Sequence, residues 1–343
     1  MVTRNEAFEA AAISVAHRIG QLLAPRKTAP SSSPIPIDAV YLWVDDTDES
    51  WLRKKSEFDH SSVDADSASR FREFGELQAS LRLLARNAPW LRKVFIVTDA
   101  QTPRLDSASS YPFEIDIVDH TKLLPKKFLP TFSSRAITAN LHRIDDLSEA
   151  FIYMNDDTFI AAPSSWSDFF ELNTEGRPIA KLRNTQTGMP PRDSLPAGEI
   201  VFESRYHTNQ IAESKGWEVK PGPPEHGGHA MLKSIVASLW DEVPTEMERA
   251  SSERFRKPNT VLTEWLHDSY AFAKGLALDA SGKTTYKYVA INSTDAAGAL
   301  VDVMLRRDRI LVLCLNDVAN LPASQILSGS RVQRRMARVL KKL

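Results

Sequence analysis

The sequence contains very little of three things: cysteine, net charge and long apolar segments. Its single cysteine, Cys314, cannot form an internal disulfide, and the apolar run around it indicates a small buried side chain. The formal net charge is −1, so no overall field favours nucleic acid, and we expect no nucleic acid partner. No segment is apolar enough to cross a bilayer, and the first residues lack the pattern of a secretion signal. These absences predict a cytoplasmic protein.

The chain of 343 residues is long enough for one large domain, and its composition is that of a globular protein. A Pro- and Ser-rich stretch near the N-terminus indicates a linker before the main domain. The predicted divisions are an N-terminal helix and linker (1–36), a main domain (37–320) with halves at 37–172 and 229–320 around an irregular insertion at 173–228, and a basic C-terminal tail (321–343).

Short apolar strands alternate with amphipathic helices along the main domain. The predicted strands are 37–44, 93–98, 113–118, 151–154, 286–291 and 310–315. One predicted helix begins at residue 73 and ends before Pro89. The other predicted helices span 134–143, 230–240 and 261–274. This alternation is typical of an α/β fold with a mostly parallel sheet flanked by helices, in which ligands bind at the carboxyl ends of the strands. An aspartate follows four of the predicted strands: Asp45, Asp99, Asp119 and Asp156.

Two predicted apolar strands are followed by Asn-Asp. Asn155-Asp156-Asp157 follows the strand at 151–154, and Asn316-Asp317 follows the strand at 310–315. Carboxylates that converge at strand ends can hold a hard cation such as Mg²⁺, which prefers oxygen ligands. The alternative is that these residues only make turns, as Asn and Asp commonly do. Two such sites in one chain favour the metal interpretation.

Two histidines, His226 and His229, flank Gly227-Gly228 just before a predicted helix. The positive end of a helix disfavours imidazolium, so a histidine there should stay neutral, as a general base must. The alternative interpretation is a pair of solvated or capping side chains.

A basic cluster, Arg254-Phe255-Arg256-Lys257, precedes the next predicted helix. The planar guanidinium of arginine donates two hydrogen bonds at once and therefore suits phosphate. Arg70-Phe71-Arg72 allows the same interpretation. For both clusters the alternative is a solvated run of charge.

The terminal segment 331–343 carries six positive side chains and no acidic one, and its apolar residues would share one helical face. This pattern suits peripheral docking on the anionic inner face of the cell membrane. A frayed, solvated tail is the alternative.

Several blocks of the sequence resemble the Stealth family of sugar-phosphate transferases. The longest lies between Arg70 and Phe159 and begins RFREFGELQASLRLLARNAPWLRKVFIVTDAQTP. A shorter block, IDAVYLWVD, precedes it from Ile37 to Asp45. Weaker blocks at 225–275 and 311–317 complete the family's four in the same order.

The resemblance implies a glycosyltransferase-A-like, Rossmann-like α/β fold and a divalent metal, Mg²⁺ or Mn²⁺. It also implies transfer of a sugar-1-phosphate from a nucleotide-sugar donor to a hydroxyl of a polysaccharide or glycolipid acceptor, with release of a nucleoside monophosphate. The domain at 37–320 would then be catalytic. The expected site residues are Asp156, Asp157 and Asp317 for the metal, His226 or His229 with Arg256 for catalysis, and Asp45, Arg72, Asp99 and Asn155 for the donor.

The chain departs from the family pattern at Thr138, where many relatives carry Glu, and threonine cannot act as a base or an anionic ligand. One alternative is therefore a catalytically inactive polysaccharide-binding subunit. Another is an ordinary glycosyltransferase of similar fold, which cuts at the sugar C1 and releases a nucleoside diphosphate.

Overall fold

The computed structural model describes residues 32–59, 75–183, 200–217, 224, 226–281, 286–290 and 310–316. Several predictions concern residues outside these ranges, namely the N-terminal helix, Arg72, Asp317 and the basic tail 321–343. They stay predictions, as do the boundaries of the main domain.

The strands of the described residues form three sheets. In chain order they are β1 (Ile37–Leu42), β2 (Lys93–Thr98), β3 (Glu114–Asp119), β4 (Ala150–Asn155), β5 (Thr158–Ile160), β6 (Phe170–Leu172), β7 (Pro178–Leu182), β8 (His229–Leu232), β9 (Ala277–Asp279), β10 (Tyr286–Ala290) and β11 (Val312–Asn316). The central sheet has the order β3-β2-β1-β4-β8, and the smaller sheets have the orders β10-β11-β5 and β6-β7-β9. In the central sheet β1 to β4 run parallel, and β8 pairs antiparallel with β4.

The α-helices of the described residues vary from one turn to four turns. They are α1 (Glu49–Phe58), α2 (Glu76–Asn87), α3 (His120–Leu123), α4 (Ser134–Thr138), α5 (Ile200–Ser214), α6 (Lys233–Glu242), α7 (Pro244–Ser252) and α8 (Thr263–Ala273). Single 3₁₀ turns lie at Ala108–Ser110, Lys126–Phe128, Leu141–Arg143 and Trp166–Asp168. Within this part of the chain, none combines the length and the apolar character that a membrane crossing requires.

Helices cover both faces of the central sheet, and the alternation along β1 shows why. Ile37 and Tyr41 are buried against one face together with Leu81 of α2, whereas Val40 packs on the opposite face with Ile137 of α4. A strand covered on both sides reads as a nearly continuous apolar run, as IDAVYL does. The predicted α/β fold with a mostly parallel, helix-flanked sheet is therefore confirmed.

A small sheet brings the end of the described chain back to the central sheet. A two-residue turn separates β5 from β4, and β11 pairs antiparallel with β5, so that Cys314 lies opposite Thr158. The backbone N–H of Leu315 also donates to the carbonyl of Asp157 at 2.9 Å. Residues about 160 positions apart in sequence thus meet at the carboxyl end of β4.

The prediction of a helix at 230–240 is wrong for its first three residues. Residues His229–Leu232 form β8, and α6 begins only at Lys233. The apolar pair Met231 and Leu232 fits helical spacing, but pairing with β4 buries both side chains and also satisfies the backbone.

The insertion predicted as irregular, 173–228, contains β7 and the fifteen-residue helix α5. Only Ser204, Thr208 and Ala212 of α5 are buried among its described side chains. A helix that buries small and polar residues lacks the apolar periodicity by which a helix is recognised in sequence.

Candidate active site

A cleft opens at the carboxyl ends of β1, β2 and β4, where the predicted fold locates ligand sites. Its lining residues include both polar and apolar side chains. The polar part includes Asp99, His120, Asn155, Asp156, Asp157, His226, Arg256 and Asn316, and the apolar part includes Trp43, Val44, Trp51, Phe132 and Ile137.

The turn between β4 and β5 carries the acidic side of the cleft. The backbone N–H of Asp157 donates to Asp156 Oδ1 at 3.0 Å, and the Thr158 hydroxyl donates to Asp157 Oδ1 at 3.3 Å. The thiol of Cys314 donates to Asp157 Oδ2 at 3.4 Å. The second carboxylate is therefore held on both oxygens, so its position relative to β11 is defined.

His226 lies beside this turn, with its side chain half exposed to the cleft. Its Nε2 atom is 3.9 Å from Asp157 Oδ2, 3.3 Å from Asn155 Nδ2 and 3.4 Å from Asn316 Nδ2. The Tyr153 hydroxyl donates to Asn155 Oδ1 at 2.9 Å, which turns the NH₂ group of that amide toward the histidine. An amide N–H donor suits an unprotonated Nε2, the form that can accept a proton from a substrate.

The backbone around His226 is fixed by two glycines and a tyrosine. The Tyr286 hydroxyl accepts from the His226 N–H at 3.0 Å and contacts its carbonyl at 2.9 Å. Gly227 and Gly228 have φ values of +86° and +66°, a region that favours glycine. A Cβ on Gly227 would lie 2.3 Å from Thr158 Oγ1, so the turn packs directly on β5.

His229, the other candidate base, is used differently. Its Nε2 accepts the Gly227 N–H at 3.1 Å, and its ring stacks on Tyr153 with centroids 5.8 Å apart. Burial, with smaller contributions from His226 and His267, lowers the pKa of His229 to about 3. It is therefore neutral because its ring is desolvated beside Tyr153, not because it precedes a helix, and it holds the turn that carries His226.

Arg256 reaches the cleft from the loop between α7 and α8. Its Nη2 donates to Ser134 Oγ at 2.8 Å, which anchors the guanidinium to the start of α4. Burial lowers the pKa of Arg256 from its ordinary value, while the nearby Tyr153 and Glu264 act in the opposite direction. A largely desolvated guanidinium that lines the cleft is suited to an anionic ligand.

The other residues singled out from the sequence do not all line the cleft. Asp99 lines the cleft but forms an ion pair with Lys54 Nζ at 2.8 Å. Asp45 is not among the lining residues; its Oδ1 accepts from the Thr47 N–H at 2.9 Å and makes the turn after β1. Thr138 is buried, and its hydroxyl donates to the Arg135 carbonyl at 3.1 Å.

Several lining residues were not predicted. Trp43, Trp51 and Phe132 have the apolar character of core residues, and only their tertiary packing makes them a wall. His120 begins α3, and burial lowers its pKa although Asp99 and Asp119 act to raise it. Asn316 could have been predicted, because Asn316-Asp317 repeats the Asn-Asp pair that follows β4.

The donor set at the β4–β5 turn fits a hard divalent cation. Asp156 and Asp157 offer carboxylate oxygens at one edge of the cleft, and Asn316 adds an amide on the opposite strand. Oxygen ligands of this kind are the ones that Mg²⁺ and Mn²⁺ accept.

Comparison with known proteins shows which protein family this chain resembles. Two family models match the chain: Stealth protein CR1, conserved region 1, at residues 36–63, and Stealth protein CR2, conserved region 2, at residues 70–177. A capsular polysaccharide phosphotransferase of Haemophilus influenzae is 32% identical over 84% of this chain and 80% of its own length. The chain belongs to the Stealth family. The resemblance predicted from the sequence is thus confirmed.

Other Stealth relatives differ in length. A capsular polysaccharide phosphotransferase of Neisseria meningitidis is 38% identical over 71% of this chain and 68% of its own. An exopolysaccharide phosphotransferase of Streptomyces coelicolor is 32% identical over 84% of this chain, which spans only 48% of that relative.

A solved structure, apo mouse xyloside xylosyltransferase 1, aligns with 84% of this chain and 100% of its own at 13% identity and a TM-score of 0.38.

Proposed function

We propose that this Stealth protein transfers a sugar-1-phosphate from a nucleotide-sugar donor to a hydroxyl of a polysaccharide or glycolipid acceptor. The observation that carries the proposal is the position of His226 Nε2, 3.9 Å from Asp157 Oδ2 in a cleft that also contains Arg256. Phosphoryl transfer needs a general base, carboxylates that can hold a metal ion, and a positive side chain that can bind phosphate. His226, Asp157 and Arg256 offer these groups in one cleft. The names of the relatives, capsular and exopolysaccharide phosphotransferases, support the same chemistry.

His226 acts as the general base in this proposal. Its Nε2 accepts the proton of the acceptor hydroxyl, and the resulting oxygen attacks the phosphorus that bears the sugar. The bond from that phosphorus to the bridging oxygen breaks, a nucleoside monophosphate leaves and a phosphodiester forms. The bond between the sugar C1 and its oxygen stays intact, so the anomeric configuration is retained. Such a base contributes about 10²- to 10⁴-fold in rate.

The charge of the donor diphosphate is balanced from two sides. Asp156 and Asp157, with Asp317 as a predicted third ligand, would hold Mg²⁺ or Mn²⁺, which neutralises phosphate charge when it is bound. Arg256, anchored by Ser134, donates hydrogen bonds to phosphate oxygens. Asp45, Arg72, Asp99 and Asn155 remain the proposed donor-binding residues.

Two histidine variants test the assignment of the base. His226→Gln should lower the rate of transfer by at least about 100-fold with donor affinity nearly unchanged, because only the proton acceptor is lost. His229→Gln is the matched control: it removes a neighbouring imidazole that is not in the cleft, and its effect should be smaller. Transfer is measured as nucleotide released from a nucleotide-sugar with acceptor and Mg²⁺. Normal turnover of His226→Gln would remove this base from the mechanism.

The same assay separates the two alternatives. An ordinary glycosyltransferase would release a nucleoside diphosphate instead of the monophosphate. An inactive binding subunit would release neither, but it would bind acceptor with an affinity that EDTA leaves unchanged.

A further inference from the structure

Three side chains with different ligand atoms meet beside the cleft, two of them from its lining residues. They are Asp157 after β4, His226 before β8 and Cys314 in the middle of β11. Asp157 Oδ2 is 3.4 Å from Cys314 Sγ and 3.9 Å from His226 Nε2, and all the ligand atoms lie within 4.8 Å of one another. The proposed transfer reaction uses the first two residues and leaves the cysteine without a role.

This combination of ligands does not match the preference of Mg²⁺. Magnesium accepts oxygen, whereas a set of one sulfur, one imidazole nitrogen and one carboxylate oxygen suits Zn²⁺ and similar thiophilic ions. Tetrahedral zinc, with Zn–S of about 2.3 Å and Zn–N or Zn–O of about 2.0 Å, spaces its ligand atoms by roughly 3.3–3.6 Å. The two observed distances of 3.4 and 3.9 Å are therefore close to those of a zinc site.

The three residues differ in solvent exposure, so the site is held by buried structure and is still reachable from the cleft. Cys314 is fully buried and lies in a strand that is paired on both sides, with Tyr288 and with Thr158. Asp157 connects the sulfur to the cleft, because its carboxylate contacts both Cys314 and His226. The His226 side chain is 49% exposed, so an ion can enter from the cleft.

We propose that the protein binds one thiophilic divalent ion, of the Zn²⁺ class, through Cys314 Sγ, His226 Nε2 and Asp157 Oδ2. Binding replaces the proton of the Cys314 thiol, which is released to solvent, and leaves the fourth position to water or substrate. If the proposed function is correct, such an ion inhibits transfer, because it takes the lone pair of the base and a carboxylate intended for Mg²⁺.

Cobalt(II) titration tests the site without any substrate. Co²⁺ is a spectroscopic substitute for Zn²⁺, and a thiolate ligand gives it a charge-transfer absorption in the near ultraviolet. Cys314 is the single cysteine of the chain, so this band can come only from that sulfur. Metal-free protein should develop the band with a stoichiometry of one ion per chain, and one equivalent of Zn²⁺ should remove it. No band with the native protein, or persistence of the band in Cys314→Ser, would overturn the proposal.

A second variant keeps the test informative if Cys314→Ser does not fold. His226→Gln changes a half-exposed side chain, and loss of this ligand should weaken Co²⁺ binding by at least about tenfold. Unchanged Co²⁺ affinity in His226→Gln would equally overturn the proposal.

Inhibition is measured separately, in the nucleotide-release assay at saturating Mg²⁺. Zn²⁺ near the protein concentration should inhibit the native chain, and Cys314→Ser should need at least about tenfold more Zn²⁺ for the same effect. Equal sensitivity of the two proteins would contradict the regulatory part of the proposal. Failure of the transfer reaction itself would leave the cobalt titration to decide the site independently.

Discussion

The Gly227-Gly228 turn provides a prediction whose size follows from two geometric facts. At φ +86° an alanine at position 227 would be in the left-handed region, which costs about 1–2 kcal/mol for a residue with a Cβ. The new Cβ would also lie 2.3 Å from Thr158 Oγ1 and 2.9 Å from its Cγ2. Overpacking of this kind adds about 1–3 kcal/mol. Gly227→Ala should therefore lower the free energy of unfolding by about 2–5 kcal/mol.

Gly275→Ala is the matched control, because Gly275 has φ +69° but open space around its Cα. It should lose only the backbone part, about 1–2 kcal/mol. Urea unfolding followed by tryptophan fluorescence gives both values from the shift in midpoint at constant slope. The double variant Gly227→Ala/Thr158→Ala should recover part of the difference, since it removes the two closest atoms.

Gly227→Ala should also reduce transfer, because the turn fixes the backbone of His226. Equal destabilisation by the two glycine variants, or no recovery in the double variant, would refute the packing of this turn against β5 and with it the fixed position of His226.

Two further predictions concern stability. The pKa of His229 is about 3 in the folded protein against an ordinary 6.5, so the unfolded chain takes up a proton first and stability falls as pH decreases below about 6.5. Between pH 7 and 5 this group should cost about 1–2 kcal/mol, and His229→Asn should show a correspondingly shallower loss in urea unfolding; an identical pH dependence would contradict the assignment. Asp38 is fully buried and accepts from Arg92 Nε at 2.9 Å, Arg92 Nη2 at 2.6 Å and the Ser148 N–H at 2.7 Å. Asp38→Asn should cost about 2–4 kcal/mol, whereas Asp146→Asn, which changes an exposed partner of the same arginine, should have a much smaller effect; similar thermal shifts for both would show that the buried pair does not matter.

The parallel core of the sheet could be predicted from sequence because its strands are short apolar runs with clear ends. β2 was predicted at its observed bounds, Lys93–Thr98, and β1, β3 and β4 within two residues. β8 could not be separated from the helix that follows it, because paired apolar residues satisfy both periodicities and only the neighbouring β4 decides. Helix α5 was missed since it buries small and polar residues.

The polar lining residues after β4 were predictable for a related reason. Asn155-Asp156-Asp157 follows a strand directly, and the chemistry of these side chains marks the end of β4 as a site. The choice between His226 and His229 was not predictable, because it depends on which imidazole the tertiary packing desolvates. The aromatic lining residues depend on packing between distant segments, such as Trp51 and Phe132, whose ring centroids are 5.6 Å apart. No local pattern distinguishes such residues from the core.

The fate of one phosphorus atom tests the central claim most directly. A nucleotide-sugar labelled with ³²P at the phosphorus bonded to the sugar is incubated with the protein, polysaccharide acceptor and Mg²⁺, and the label is followed. Sugar-phosphate transfer predicts that the label enters the polysaccharide while unlabelled nucleoside monophosphate is released. Label that stays in a nucleoside diphosphate, with sugar added to the acceptor, would contradict the account.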